Sequence, residues 1–176
     1  MIEADSFTHT IAALLLLGRL GDIVSTRLIT PTLRLEANPV VRRFGWRFAW
    51  ASLLLVLVPY YSAALGIAAL VVSLMVSASN LSRGWMYRTL GEAAADELML
   101  RVARQGRRGT ALGFLFSGAA FVVVSGVVLM LLSGSARAPS YWFGVGIVIY
   151  GIAIALHGTA FILRLFRRAA LGEPAV

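Results

Sequence analysis

Residues 47–79 form an almost unbroken apolar run. As one helix the run would extend about 50 Å at ~1.5 Å per residue, too long for a ~30 Å hydrocarbon core without extreme tilt. Near its middle stand Pro59, Tyr60, Tyr61 and Ser62. Proline disfavours helix at the residue before it, and tyrosine favours the headgroup layer, so these residues predict a tight hairpin at an interface. Apolar stretches recur elsewhere, giving candidate spans at 7–29, 40–58, 62–83, 110–133 and 142–165. Most come close to the ~20 residues that cross a bilayer. The chain is 59% hydrophobic and 14% charged, against roughly 45–50% and about a quarter in a soluble domain. The expected fold class is an all-α polytopic transmembrane bundle, with 1–176 as one integral membrane domain.

Charge selects between five spans and four. The connection 30–47 carries Arg34, Arg42, Arg43 and Arg47; the connection 84–109 carries Arg88, Arg101, Arg104, Arg107 and Arg108, with Arg83 just before it; the tail carries Arg164, Arg167 and Arg168. The 59–61 turn has no Arg, and 134–141 has only Arg137. Five spans put all three basic regions on one side, whereas four would split the first two. The positive-inside rule therefore favours five, with the N-terminus outside and the C-terminus cytoplasmic in a prokaryotic inner membrane. Glu3 and Asp5 precede the first apolar stretch, and no small-residue cleavage site follows it, so it reads as a retained helix rather than a signal peptide.

Residues 88–105 are the one substantial polar helix. Leu90, Ala94, Leu98 and Val102 recur at helical spacing, and Glu92, Asp96 and Glu97 precede Arg101 and Arg104. The leading reading is a cytoplasmic amphipathic extension of the third span lying along the headgroups; the alternative is a docking site for a partner or for anionic lipid. Small residues mark close helix contacts. Gly144, Gly151 and Gly158 line one stripe, read as bundle packing or a homo-oligomer seam; Gly66, Ser73, Ser77, Asn80 and Gly84 line another; Gly113 and Ser117 form a pair.

Polar groups inside the spans ask for a reason, because ionisable residues are costly in hydrocarbon. Arg19, Asp22, Ser25 and Thr26 share a broad helical face, where Arg19 and Asp22 can pair. Thr30-Pro31 ends that helix, and Asn38 is placed to cap the next with Pro39 in its first turn. Glu36 lies in the connection, positioned to fold back toward Arg19 and Asp22. Counting residues puts Asp22 and His157 at similar depth, with Asn80 slightly deeper. These groups are expected to converge on a cavity near the cytoplasmic face, roofed by residues 30–39.

The pattern Asp22-x-x-x-Thr26, then Glu36-x-Asn38-Pro39 opening the next span, resembles an uncharacterised family of small prokaryotic polytopic membrane proteins. The likeness covers roughly residues 18–83, including Asn80. It implies a polytopic fold and the importance of Asp22, Thr26, Glu36, Asn38 and Pro39; it implies no activity.

The chain has no cysteine, which excludes disulfides and thiolate metal sites. All 16 basic side chains are Arg, and their position flanking apolar spans reads as topology rather than nucleic-acid binding. No His-Glu-x-x-His, Gly-x-Ser-x-Gly, P-loop or dinucleotide motif occurs. No cofactor is expected, although Asp22, Glu36 and His157 together would suit a divalent metal. The leading expectation is a non-enzymatic accessory or interaction component with a buried polar cluster. The alternatives are a proton- or cation-handling transporter or channel component, and an intramembrane enzyme acting on a lipid headgroup.

Overall fold

The computed structural model describes residues 5–33 and 35–172; Glu3 and Arg34 lie outside them. Among the described residues all regular structure is helical. The elements are α1 (Ser6–Ile29), α2 (Pro39–Ala51), a 3₁₀ segment (Ser52–Leu57), α3 (Val58–Tyr61), α4 (Ala63–Leu90), α5 (Glu92–Gln105), α6 (Arg108–Leu132) and α7 (Pro139–Ala170). Four of them, α1, α4, α6 and α7, are long and apolar enough to cross a membrane.

Local chemistry sets the boundaries. Asp5 caps α1 by accepting from the Thr8 amide at 2.8 Å. Asn38 caps α2 by accepting from the amides of Val40 and Val41, with Pro39 in the first turn, where a missing N–H costs nothing. Ser62 caps α4 through the Leu65 amide. Gly91, at φ 78°, ends α4 in a backbone conformation that disfavours a side chain and turns the chain into α5.

The stretch expected as a single span at 40–58 is not one helix. Gly45 sits at φ 67°, ψ −159° and kinks α2, and the backbone then tightens into the 3₁₀ segment. The expected break before Pro59 is also absent. Val58 keeps helical angles (φ −57°, ψ −43°), and Pro59 stands in the first turn of α3, where it removes no hydrogen bond. The chain reverses instead at Ser62, which is extended at φ −155°. Pro59 packs on the next helix, its Cγ 2.7 Å from where a Cβ on Gly66 would lie.

Contacts fix the helix directions. Gly18 approaches Ser73, Gly21 approaches Ser77, and Gly84 approaches Ile29; both chains advance together, so α1 and α4 are parallel. Gly146 of α7 packs on Ala68 and Val71 of α4, and further along α7 the Arg164 side chain reaches the carbonyl of Glu36, which makes α7 parallel to α4. The stretch between α1 and α4 runs the other way. The Trp46 indole donates to the Pro31 carbonyl, Arg19 donates to Ser52, and Tyr60 meets His9 at 3.1 Å.

α6 is antiparallel to α7. Gly126 faces Gly144, Ala119 faces Gly151, and Leu115 faces Gly158. The Gly144, Gly151 and Gly158 stripe is thus occupied by α6 of the same chain. The remaining surface of α6 is apolar and open, with Phe114 78% and Leu132 79% exposed. Side chains of that kind around a long helix require an apolar surround.

Three helices end together at a basic end, and α5 lies against it. Thr30, at the end of α1, donates to Glu92, and Arg168 of α7 makes a bidentate pair with Asp96 at 2.9 Å on both arms. This docking uses a face other than the apolar repeat. Leu98 and Val102 point outward, while Ala95, Asp96, Leu100 and Ala103 are buried. The ion pair selects the face, and hydrophobic spacing alone does not reveal it. Of the expected pairs within α5, Glu97 and Arg101 do meet, at 3.1 Å, on the exposed side.

Candidate functional site

Helical spacing brings Arg19 and Asp22 onto one face of α1, where they pair at 2.7 Å with both side chains largely shielded. The second arm of the Arg19 guanidinium donates to Ser52, whose hydroxyl in turn donates to the Ala49 carbonyl. Arg19 therefore ties α1 to the start of the 3₁₀ segment. Among the described residues its buried Nε has no hydrogen-bond partner, a cost of about 1–3 kcal/mol that the two satisfied arms must outweigh.

One turn further along, α4 joins. The Asn80 amide donates to Thr26 at 3.0 Å and to Ser25 at 3.2 Å. The Ser25 hydroxyl donates to the Asp22 backbone carbonyl, and Thr26 faces the Asp22 carboxylate at 3.5 Å. Below this, Ser77 donates to the carbonyls of Gly18 and Ser73. The small residues of α1 and α4 let the backbones come close enough for these short side chains to reach across.

The connection folds over the end of this seam. Glu36 accepts from the Asn38 amide at 2.7 Å, and no side chain among the described residues donates to its carboxylate. Burial pushes the Glu36 carboxyl above its usual range; the Asn38 amide opposes that shift, and the charge of Asp22 adds to it. The sensitivity to Asp22 places the two carboxylates within electrostatic reach. Thr30 accepts from the Leu35 amide while its hydroxyl holds Glu92, pinning the connection to α5.

Between the connection and the seam lies a cavity of about 100 Å³, lined by Thr26, Thr30, Glu36, Asn80, Arg83 and Tyr87, with Ile29, Leu35 and Ala37 as apolar walls. A cavity of that size holds several waters or one small polar group.

The expected convergence is thus partly realised. Arg19, Asp22, Thr26 and Asn80 form one network, and Glu36 closes the cavity above it. Asn38 serves as a helix cap. His157 is not joined to the cluster. Gly146, eleven residues before it, and Arg164, seven after, share its face of α7, and Gly146 packs on α4. The face of α7 that carries His157 thus turns toward α4, yet among the described residues no hydrogen bond joins His157 to the network. Among the described residues no group of three His, Cys, Asp or Glu side chains is placed to hold a metal, so Asp22, Glu36 and His157 do not form the expected ligand set.

Several participants escaped the sequence reading. Ser52 is the only hydroxyl in the apolar run 48–58, a signal that was available. Arg83, Tyr87 and Arg164 look like ordinary interfacial residues, and only the fold shows which of them meet the cavity and the connection. Comparison with known proteins finds no matching family, no similar curated protein and no similar solved structure.

Proposed function

We propose that the chain is a non-enzymatic accessory or interaction component of a prokaryotic inner membrane, with a polar cluster that fastens the bundle near its cytoplasmic face. The observation that carries this reading is that the side-chain bonds of Arg19 and Asn80 are all made to neighbouring residues of the bundle. Arg19 is shared between Asp22 and Ser52, and Asn80 between Ser25 and Thr26. In hydrocarbon such bonds serve as fasteners between helices. The resemblance carried by Asp22, Thr26, Glu36, Asn38 and Pro39 fits a shared architecture of this kind.

The reading includes five crossings, with the N-terminus outside. Its support is the parallel run of α1, α4 and α7, which requires the chain to return between α1 and α4. The contacts from Trp46 to Tyr60 follow that return. At ~2.0 Å rise per residue the 3₁₀ portion lengthens it, so residues 46–60 cover roughly 25 Å. The gathering of arginines at the end where these helices finish supports a cytoplasmic location for that end.

The test is a pair of variants. Asp22→Ala strands Arg19 and is expected to cost about 3–5 kcal/mol. Arg19→Leu combined with Asp22→Leu removes both charges and should recover most of the folded yield in detergent. A double variant that folds but shows the cellular phenotype of a deletion strain would instead assign the pair to chemistry. That outcome would favour a proton- or cation-handling component, for which the nearness of Asp22 to Glu36 is the supporting observation.

A further inference from the structure

We propose that the cavity beneath the connection binds a primary ammonium group with its neighbouring phosphate, the headgroup chemistry of phosphatidylethanolamine. Acceptors collect on its inner wall. Among the described residues the Glu36 carboxylate receives no side-chain donor and the Asn80 amide donates through its nitrogen while its carbonyl oxygen accepts nothing; Thr26 lines the same space. An ammonium carries three donors and no acceptor, which suits such a wall. Arg83 also lines the cavity but is exposed, and no carboxylate among the described residues pairs with it. A guanidinium in that position suits a phosphate.

The site's level agrees with this occupant. Its residues on α1 are the last of that helix, and the indole of Trp46 bonds the Pro31 carbonyl beside it. Tryptophan and tyrosine mark the headgroup layer. The apolar walls, Ile29, Leu35 and Ala37, suit the carbon atoms that join ammonium to phosphate. Choline chemistry does not fit, because a trimethylated nitrogen has no N–H to donate and needs more room.

The placement in the cytoplasmic leaflet rests on the topology proposed above. Binding to purified protein is indifferent to topology, so failure of one is distinguishable from failure of the other. The experiment titrates the full chain in detergent with short-chain phosphatidylethanolamine, its N-monomethyl and N,N-dimethyl derivatives, phosphatidylcholine, phosphatidylglycerol and free O-phosphoethanolamine. Binding is read by thermal stabilisation and by the tryptophan emission of the chain. The expected result is affinity falling stepwise with methylation, with phosphatidylethanolamine about tenfold tighter than phosphatidylcholine, a difference of about 1.4 kcal/mol. This series needs no variant. Glu36→Gln should remove the methylation dependence, and Arg83→Gln should weaken phosphatidylethanolamine and phosphatidylglycerol alike. Free O-phosphoethanolamine binding as tightly as the lipid would keep the chemistry and assign it to a soluble source. Equal affinity across the methylation series overturns the proposal, as does a folded Glu36→Gln protein that keeps the dependence.

Discussion

The two main helix seams of this bundle are built from opposite materials. Between α1 and α4 the contact is polar: Ser77 reaches the Gly18 carbonyl, and Asn80 reaches Ser25 and Thr26. Between α6 and α7 the contact is close approach of backbone and apolar side chains: a Cβ on Gly144 would lie 2.6 Å from the Gly126 carbonyl oxygen, and one on Gly158 2.5 Å from a Leu115 methyl. Lipid supplies no hydrophobic drive for helices to associate, so each seam must find attraction in packing or hydrogen bonds. The first seam is specified by direction, since a hydrogen bond fixes register. The second is specified by shape, since only a side chain of the right size fits each gap. The difference also separates site from scaffold: the polar seam ends in the cavity.

The seams should therefore fail in different ways. Gly144→Leu forces a side chain into the Gly126 carbonyl and Met130, and overpacking of this kind typically costs 1–3 kcal/mol, occasionally more. We expect about 3 kcal/mol, read by reversible unfolding in mixed micelles; a value below about 1 would show that the seam is loose. Asn80→Leu keeps the volume and removes both interhelical bonds, for an expected loss of about 0.6–1.7 kcal/mol in the same assay. Gly18→Ala on the polar seam meets Ser73 at 3.3 Å and Leu70 at 3.4 Å. The Ser73 Cβ is held by the α4 backbone and must yield by a few tenths of an ångström, while the added methyl lowers backbone entropy in the unfolded state and offsets that cost. The expected change is within about 0.5 kcal/mol of zero. A large loss there would erase the contrast between the seams.

Glu36 sharpens the comparison through pH. Its carboxyl is raised above its ordinary value of 4.5, so the folded chain holds that proton more tightly than the unfolded chain does. Its contribution to stability is greatest below the ordinary value. It falls as pH rises through the interval up to the raised value, then levels off. The groups facing it are Asp22 on α1, Arg83 on α4 across the cavity, and Arg164 of α7 at its carbonyl. Melting curves across that interval should show a fall in stability that Glu36→Gln removes; an unchanged slope in the variant would assign the proton elsewhere.

How much of this was legible in the sequence follows from what a one-dimensional pattern encodes. Long apolar runs and local caps are local facts, so the four long helices and the Asn38–Pro39 start could be read directly. The Arg19–Asp22 pair was legible for the same reason, because both partners sit on one helix. Depth could be counted, which is why Asn80 fell beside Thr26. Whether a side chain closes a contact could not: His157, on the α4-facing side of α7, makes no hydrogen bond to the network among the described residues. The docking face of α5 could not be read, because Asp96 answers to Arg168, seventy-two residues away. The broken course of residues 40–58 depends on Gly45 taking a positive φ, which glycine permits but does not announce.

The central claim is that the chain returns across the membrane between α1 and α4, so that Tyr61 and Gln105 lie on opposite sides. The chain has no cysteine, and Tyr61 is 87% exposed, so Tyr61→Cys and Gln105→Cys can each report alone. A membrane-impermeant thiol reagent added to intact spheroplasts should label Tyr61→Cys at once and Gln105→Cys only after the membrane is permeabilised. Labelling of both from the same side would contradict the account.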